Sequence, residues 1–342
     1  MPDRIQLAVI GGGYWGPNLI RNIANLPDAA LHTVCDISDK VLAQNAQRYP
    51  GIRTTPHYED VLRDPAVDGI VLATPAHLHG EQARLALEAG KHVMVEKPLA
   101  LRSDEALALV QLAAARDLRL MVGHVFEYNP AVIALRGMVE DGGLGRLLYV
   151  YSQRLNLGII RSDLNVMWNL APHDFSILNF VLGSAPERIA ARGFRLLGRA
   201  LEDVAFVTLE YPEGVVAHVH VSWLDPGKVR RMTFVGEQKM VVYDDVSVDE
   251  RLRVYDKGVI RHELPDAYGE FKLLTRSGDV HIPMLETTEP LRAECAHFVA
   301  CIREGKTPVS DGVDGYRVVR MLEAAQESLD NGGVSVGLGL AI

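Results

Sequence analysis

The sequence predicts an α/β domain with a doubly wound parallel sheet, followed by an α+β domain with a mainly antiparallel sheet. Three observations predict it. The first 125 residues alternate short apolar runs with amphipathic helical segments, the rhythm of a parallel sheet covered on both faces. A glycine-rich turn, Gly11-Gly12-Gly13-Tyr14-Trp15-Gly16, follows the first apolar run and opens a helical segment. Past the cluster Gly142-Gly143-Leu144-Gly145 the pattern changes to longer alternating segments. With 342 residues there is core for two domains, 1–125 and 126–342, and the C-terminal helices of the second are free to pack back on the first.

Taken in order, the strands of the first domain fall at 6–10, 30–35, 69–73, 92–95 and 118–122. Between them, apolar residues recur at helical spacing over 15–26, 38–48, 79–88 and 103–116. Ser103, followed by Asp104 and Glu105, reads as an N-cap with acidic residues where the helix dipole favours them. After Asn129-Pro130 a short helix runs to 140. Strands at 146–154, 204–211, 215–223, 231–235 and 239–243 follow, with turns at 211–214 and 236–238 that suit hairpins. One helix interrupts them at 171–181, and two more close the chain at 290–303 and 313–329.

Composition excludes several classes of protein. Lys and Arg number 35 against 44 Asp and Glu, a net charge of −9 without a basic run, which disfavours nucleic acid and anionic membrane as partners. Cys35, Cys295 and Cys301 form neither a disulfide framework nor a zinc-binding spacing, and no metal is expected. The most apolar stretch, 106–115, is far shorter than the roughly 18 residues of a membrane span, and the segment after Met1 lacks the form of a signal peptide. A cytoplasmic location is the expectation.

The glycine turn supplies G-x-G-x-x-G in its productive context. Gly11 permits the tight turn, Gly13 lets a pyrophosphate approach the backbone, and Gly16 packs helix against strand. Asp36 ends the second strand 20 residues after Gly16, near the offset at which a carboxylate takes the ribose 2′-hydroxyl of NAD and repels the 2′-phosphate of NADP. The other reading of Asp36 is a cap for the helix beginning near Ser38. A dinucleotide, NAD, is the expected cofactor.

Glu96-Lys97-Pro98 follows the strand 92–95 at its carboxyl end, where open α/β sheets bind ligands. Lys97 is either a solvated surface charge or an ammonium that exchanges protons with a substrate hydroxyl. Asn169 and His173 lie four residues apart in Trp168-Asn169-Leu170-Ala171-Pro172-His173-Asp174. A helix starting near Ala171 puts His173 just inside its N-terminus, where the dipole keeps an imidazole neutral and basic; the alternative is a histidine packed on the apolar face of that helix.

The ordered set Gly11–Gly16, Thr74-Pro75 with His77 and His79, Glu96-Lys97-Pro98, Asn129-Pro130 and the His173 helix resembles the glucose-fructose oxidoreductase/inositol dehydrogenase/rhizopine-catabolism family (Gfo/Idh/MocA) over nearly the whole chain. The resemblance implies a Rossmann domain followed by an open antiparallel-sheet domain, often packed sheet to sheet in homodimers or homotetramers. It implies catalytic roles for Lys97 and His173, with Asn169 beside them. It places Gly11, Gly13, Tyr14, Trp15, Gly16, Asp36, Thr74, Pro75, His79, Glu96 and Lys97 around NAD. Tyr14, Trp15, His77, His79, His124 and Tyr151 either line the cleft or simply pack. Two departures stand out: Asn169 occupies a position that is commonly aspartate, and an amide cannot accept a proton as a carboxylate does; Glu127 stands where relatives often have arginine.

Within that family, Gly13-Tyr14-Trp15-Gly16-Pro17-Asn18, Arg154-Leu155-Asn156-Leu157-Gly158 and Asn165-Val166-Met167-Trp168-Asn169-Leu170 look like the branch of UDP-N-acetylglucosaminuronate 3-dehydrogenases and related sugar-nucleotide 3-dehydrogenases. That likeness implies hydride transfer between C3 of a UDP-sugar and nicotinamide. Lys97, His124, Arg154, Arg161, Asn169 and His173 are the expected substrate contacts. Arg154 and Arg161 either bind a diphosphate or carboxylate or are ordinary surface arginines. The rival readings are a free-sugar or inositol dehydrogenase, an NAD-dependent glycoside hydrolase, and a non-enzymatic NAD-sensing regulator.

Overall fold

The computed structural model describes residues 4–158, 160–263 and 271–340, with the backbone alone for 260–263 and 271–274. The chain divides into two compact units, 1–129 with 288–320, and 130–287 with 321–341. In the first, the chain runs β1 (Ile5–Ile10), α1 (Gly16–Ala24), β2 (Ala29–Cys35), α2 (Asp39–Arg48), β3 (Arg53–Thr55), α3 (Tyr58–Arg63), β4 (Gly69–Leu72), α4 (Ala76–Glu88), β5 (His92–Val95), α5 (Ser103–Ala115) and β6 (Leu120–Val122). The six strands are all parallel in the order β3-β2-β1-β4-β5-β6. Strand order reverses between β1 and β4, and the glycine turn and the Thr74 turn leave from the carboxyl ends of those two strands.

In the second unit, α6 (Pro130–Glu140), β7 (Leu147–Leu155) and α7 (Val166–Leu182) precede β8 (Arg188–Phe194), β9 (Val204–Glu210), β10 (Val216–Ser222), β11 (Val229–Gly236), β12 (Met240–Asp244), β13 (Leu252–Tyr255), β14 (Gly258–Glu263), β15 (Phe271–Arg276) and β16 (Val280–His281). β14 and β15 pair only with each other. With β17 (Val336–Gly337), the remaining strands make a nine-stranded sheet in the order β16-β13-β12-β11-β7-β10-β9-β8-β17. All its pairings are antiparallel except β7 with β10.

The two-residue period of β7 sorts its side chains by face. Val150, Ser152 and Arg154 are buried, the last two bonded to Asp174 of α7, whereas Tyr149 and Tyr151 are exposed. On the exposed face Val216 stands opposite Tyr149, His218 opposite Tyr151, and Phe206 opposite His220. The Phe206 and His220 rings stack with centroids 4.3 Å apart.

Two helices then follow, α8 (Pro290–Glu304) and α9 (Gly312–Asp330). Leu291, Cys295, Phe298 and Val299 of α8 complete the core formed by Leu7 and Val9 of β1, Leu19, Ile20 and Ile23 of α1, and Val71, Met94 and Met121 of the parallel sheet. The boundary between the units falls inside α9. All three cysteines are buried and unbridged. Among the described residues, no helix is long and apolar enough to cross a membrane.

Three local expectations are corrected. The helix expected from 171 starts at Val166, because the Asn165 side chain accepts from the Trp168 amide at 3.0 Å and caps it a turn and a half earlier. Pro172 lies inside the helix and not in its first turn; the helix tolerates one missing backbone bond because most of its residues are buried. Ser103 is the first residue of α5, and Arg102 holds the cap position. The strands β3, β8 and β13 to β17 and the helix α3 lie outside the predicted elements; all but β8 span six residues or fewer, and β8 is rich in arginine and small residues.

Candidate active site

The glycine turn is built by exclusion. A Cβ on Gly16 would lie 2.0 Å from the Gly11 carbonyl oxygen, and one on Gly11, whose φ is +92°, would lie 2.8 Å from the Ala73 carbonyl oxygen. Gly13 differs: a Cβ there meets nothing within 4 Å, so that glycine leaves open space beside the turn at the N-terminus of α1. Asp36 reaches back to the turn. Its Oδ2 accepts from the Gly12 amide at 2.7 Å and its Oδ1 from the Ser38 amide at 2.8 Å. It therefore braces the turn and the start of α2 together, and each oxygen keeps a second lone pair for a hydroxyl.

At the ends of β4 and β5, Thr74 Oγ1 donates to Gln82 Oε1 at 2.6 Å. Pro75 and Tyr14 are exposed, and Trp15 is partly so. The Trp15 indole lies beside the Glu96 carboxylate and favours its ionised form. Burial pushes Glu96 up to about 7, against the Lys97 charge, the Trp15 indole and the Lys97 amide, which all favour its ionised form. Lys97 is half-buried and precedes Pro98 across a cis peptide. His79 is enclosed, with both ring nitrogens against backbone carbonyls of Thr74 and Pro98.

His124 is equally enclosed. Its Nδ1 donates to Asp314 Oδ2 at 2.5 Å and lies 3.4 Å from Glu127 Oε1, with both imidazole and Glu127 nearly inaccessible. Burial opposes charge on His124, yet the Asp314 charge, the hydrogen bond to Asp314 and the neighbouring Glu127 carboxylate outweigh it and push the imidazole up to about 10. Glu127 is pushed up to about 8 by burial first and then by the Asp314 charge. A third acid, Glu294 of α8, is wholly buried beside them, and neither of its oxygens has a hydrogen-bond partner among the described residues. Among the described residues, His124, Glu127 and Asp314 form a group with metal-ligand chemistry, their ligand atoms within 4.8 Å of one another. His124 Nδ1 and Asp314 Oδ2 face each other directly as hydrogen-bond donor and acceptor, with Glu127 beside the same ring nitrogen. Sequence reading flagged Glu127 as a departure but missed Asp314 and Glu294, which lie far along the chain and have no local signature.

In the second unit, α7 carries Asn169, His173 and Asp174 on adjoining turns. His173 sits two turns inside the helix, so the dipole argument for its neutrality does not apply. Asp174 Oδ1 accepts from Ser152 at 2.6 Å and Oδ2 from Arg154 Nε at 2.7 Å, which fixes α7 against β7 next to His173. Arg154, expected as a substrate contact, is only 5% exposed and serves this buried ion pair. Trp223 Nε1 donates to Asn169 Oδ1 at 3.3 Å, which orients the amide. Arg161 is half-buried and paired with Asp163, and Arg199, which sequence reading missed, donates to the Arg161 carbonyl at 2.6 Å while its Nη1 is buried without a hydrogen-bond partner among the described residues.

Comparison with known proteins agrees with this architecture. Residues 5–124 match the family profile described as oxidoreductase family, NAD-binding Rossmann fold, and residues 132–242 match the Gfo/Idh/MocA C-terminal domain. The chain belongs to the Gfo/Idh/MocA family of NAD-binding oxidoreductases. It resembles the structure of an oxidoreductase from Magnetospirillum magnetotacticum, with 30% identity, a TM-score of 0.80, and 94% of this chain and 100% of the other covered. It is 29% identical to UDP-N-acetylglucosamine 3-dehydrogenase of Acidithiobacillus ferrooxidans over 82% of this chain and 85% of that protein. It is 26% identical to scyllo-inositol 2-dehydrogenase (NAD(+)) of Bacillus subtilis, with 97% and 96% covered.

Two outcomes follow from this geometry. Gly13→Ala is expected to keep the thermal midpoint within about 2 °C, because its Cβ enters open space, and to weaken NADH binding at least about tenfold, because the methyl group fills space a pyrophosphate would need at this turn; NADH fluorescence titration beside thermal melts reads both. Asp314→Ala leaves a charged group buried without its partner and costs about 3 kcal/mol at pH 7 by denaturant unfolding. His124 and Glu127 hold their protons more tightly folded than at their ordinary values of 6.5 and 4.5, so the stability they add is complete at low pH and is lost as pH rises, from 4.5 to about 8 for Glu127 and from 6.5 to about 10 for His124. Wild-type melting temperature falls across that span, and the fall is shallower in Asp314→Ala.

Proposed function

We propose that this protein is an NAD-dependent dehydrogenase of a sugar secondary alcohol, with C3 of a UDP-linked sugar as the reacting position. The observation that carries the reading is that the glycine turn packs on Ala73 and Thr74 at the end of β4, while His79 sits between the Thr74 carbonyl and the carbonyl of Pro98, the residue after Lys97 at the end of β5. A proton-exchanging side chain is thereby tied to the dinucleotide cradle. Gly11, Gly13, Gly16 and the α1 N-terminus would hold the pyrophosphate, and Asp36 the ribose hydroxyls; its negative charge favours NAD over NADP.

A nicotinamide held there would supply the acceptor for the hydride of the sugar carbon. Lys97 and His173 take the hydroxyl proton as the carbonyl forms, and Asn169, its oxygen directed to Trp223, orients a hydroxyl or the imidazole without accepting the proton itself. Arg161 and the neighbouring Arg199 replace the expected Arg154–Arg161 pair as contacts for an anionic group, which supports a nucleotide-linked or uronate sugar over a neutral one. The similarity to a UDP-N-acetylglucosamine 3-dehydrogenase supports the same choice, and the similarity to an inositol dehydrogenase defines its main rival.

The test is reduced-nicotinamide absorbance under single-turnover conditions with UDP-sugars, UDP-uronates, free sugars and inositols. Signal confined to the sugar nucleotides is expected, and signal confined to free sugars or inositols overturns the substrate assignment. Lys97→Ala and His173→Ala each lower turnover about 100-fold or more while NADH still binds, and near-wild-type turnover in either variant removes that residue from the chemistry.

The exposed sheet face bearing Tyr149, Tyr151, Phe206 and Val216 supports a second copy as its cover, in a homodimer or homotetramer. Sedimentation equilibrium at micromolar concentration is expected to give an oligomer, and Tyr151→Asp with Phe206→Asp to give monomer.

A further inference from the structure

His79 stands near the start of α4 but is 1% exposed, so it meets neither solvent nor a ligand directly. Its Nδ1 lies 2.7 Å from the Pro98 carbonyl oxygen and its Nε2 2.8 Å from the Thr74 carbonyl oxygen. Carbonyl oxygens only accept, so both bonds form fully when each ring nitrogen carries a proton. Burial and the charges of Lys97 and His77 oppose that second proton, so one carbonyl takes the ring's N–H and the other is kept at hydrogen-bond distance from the ring by the packing around it.

The two carbonyls belong to different strand ends. Thr74 follows β4, and its hydroxyl is held by Gln82 one turn of α4 beyond His79. Ala73 and Thr74 also form the backbone surface against which Gly11 packs, at distances that exclude a Cβ. Pro98 follows Lys97 directly after β5. One imidazole therefore links the segment that supports the glycine turn to the segment that carries Lys97.

We propose that His79 is a positioning residue that sets the placement of Lys97 relative to the dinucleotide cradle by holding the Thr74 and Pro98 carbonyls to one ring. This takes its functional meaning from the proposed role of Lys97, but its test needs no substrate. His79→Leu fills the space without donors, and His79→Gln restores amide donors. NADH affinity is read by fluorescence titration. The reactivity of Lys97 in the full-length protein is read by competitive acetylation with acetic anhydride and peptide mass spectrometry.

In His79→Leu, NADH affinity is expected to fall about tenfold and Lys97 acetylation to change at least about threefold, with His79→Gln recovering at least half of both effects. A folded His79→Leu protein with wild-type NADH affinity and wild-type Lys97 reactivity overturns the proposal. So does a His79→Gln protein as impaired as His79→Leu with an equal loss of melting temperature, the result for a packing residue. If His79→Leu does not fold, His79→Gln decides alone, since it must stay within about threefold of wild type in both readouts. Should Lys97→Ala keep its turnover, the catalytic reading of Lys97 fails while the altered labelling in His79→Leu still stands.

Discussion

The contact on which the first unit depends is the one between the carbonyl of Gly11 and the α-carbon of Gly16. A side chain at Gly16 would put a carbon 2.0 Å from that oxygen, so only glycine lets α1 start this close to the end of β1. Everything in the cradle inherits that closeness. Asp36 reaches the Gly12 amide because the turn is tight, Gly11 rests on Ala73 and Thr74, and the Trp15 indole meets Glu96 from the far end of the same turn. The backbone is packed first, and the polar contacts follow from where it lies.

Both units bury charge beside residues proposed for chemistry, and they do so differently. In the second unit Arg154 and Asp174 make a matched pair, with Ser152 on the remaining carboxylate oxygen, so the charges cancel and the position of α7 on the sheet is defined. In the first unit, acids outnumber bases around His124, and protons held above their ordinary range make up the difference. A buried ion pair of the first kind fixes geometry, whereas a group of the second kind ties geometry to pH.

The features legible in the sequence are those whose cause is local. The glycine turn, Asp36 at its offset and the strand ending at Glu96-Lys97 could be placed because a few adjoining residues determine each of them. Asn165 also lay in view, but Pro172 offered the more familiar helix start, and the competing cap went unrecognised. The arginine pair illustrates a different limit: Arg154 and Arg161 are close in the chain, yet strand alternation turns Arg154 inward to Asp174, while Arg199 joins Arg161 from 38 residues away. Asp314 is 190 residues from His124, and no spacing rule reaches that far.

The return of α8 to the parallel-sheet unit has a consequence for how the chain is made. Leu291, Cys295, Phe298 and Val299 belong to the same core as β1 and α1, yet they leave the ribosome after every strand of the nine-stranded sheet except β17. The Rossmann strands therefore keep one apolar flank uncovered until α8 has been made, and the cradle reaches its final packing only then. The same threading governs dissection of the protein, since no single cut releases the cofactor unit whole. A fragment ending at Asn129 would carry the complete G-x-G-x-x-G motif and the Glu96-Lys97 pair without the helix that seals the core beneath them.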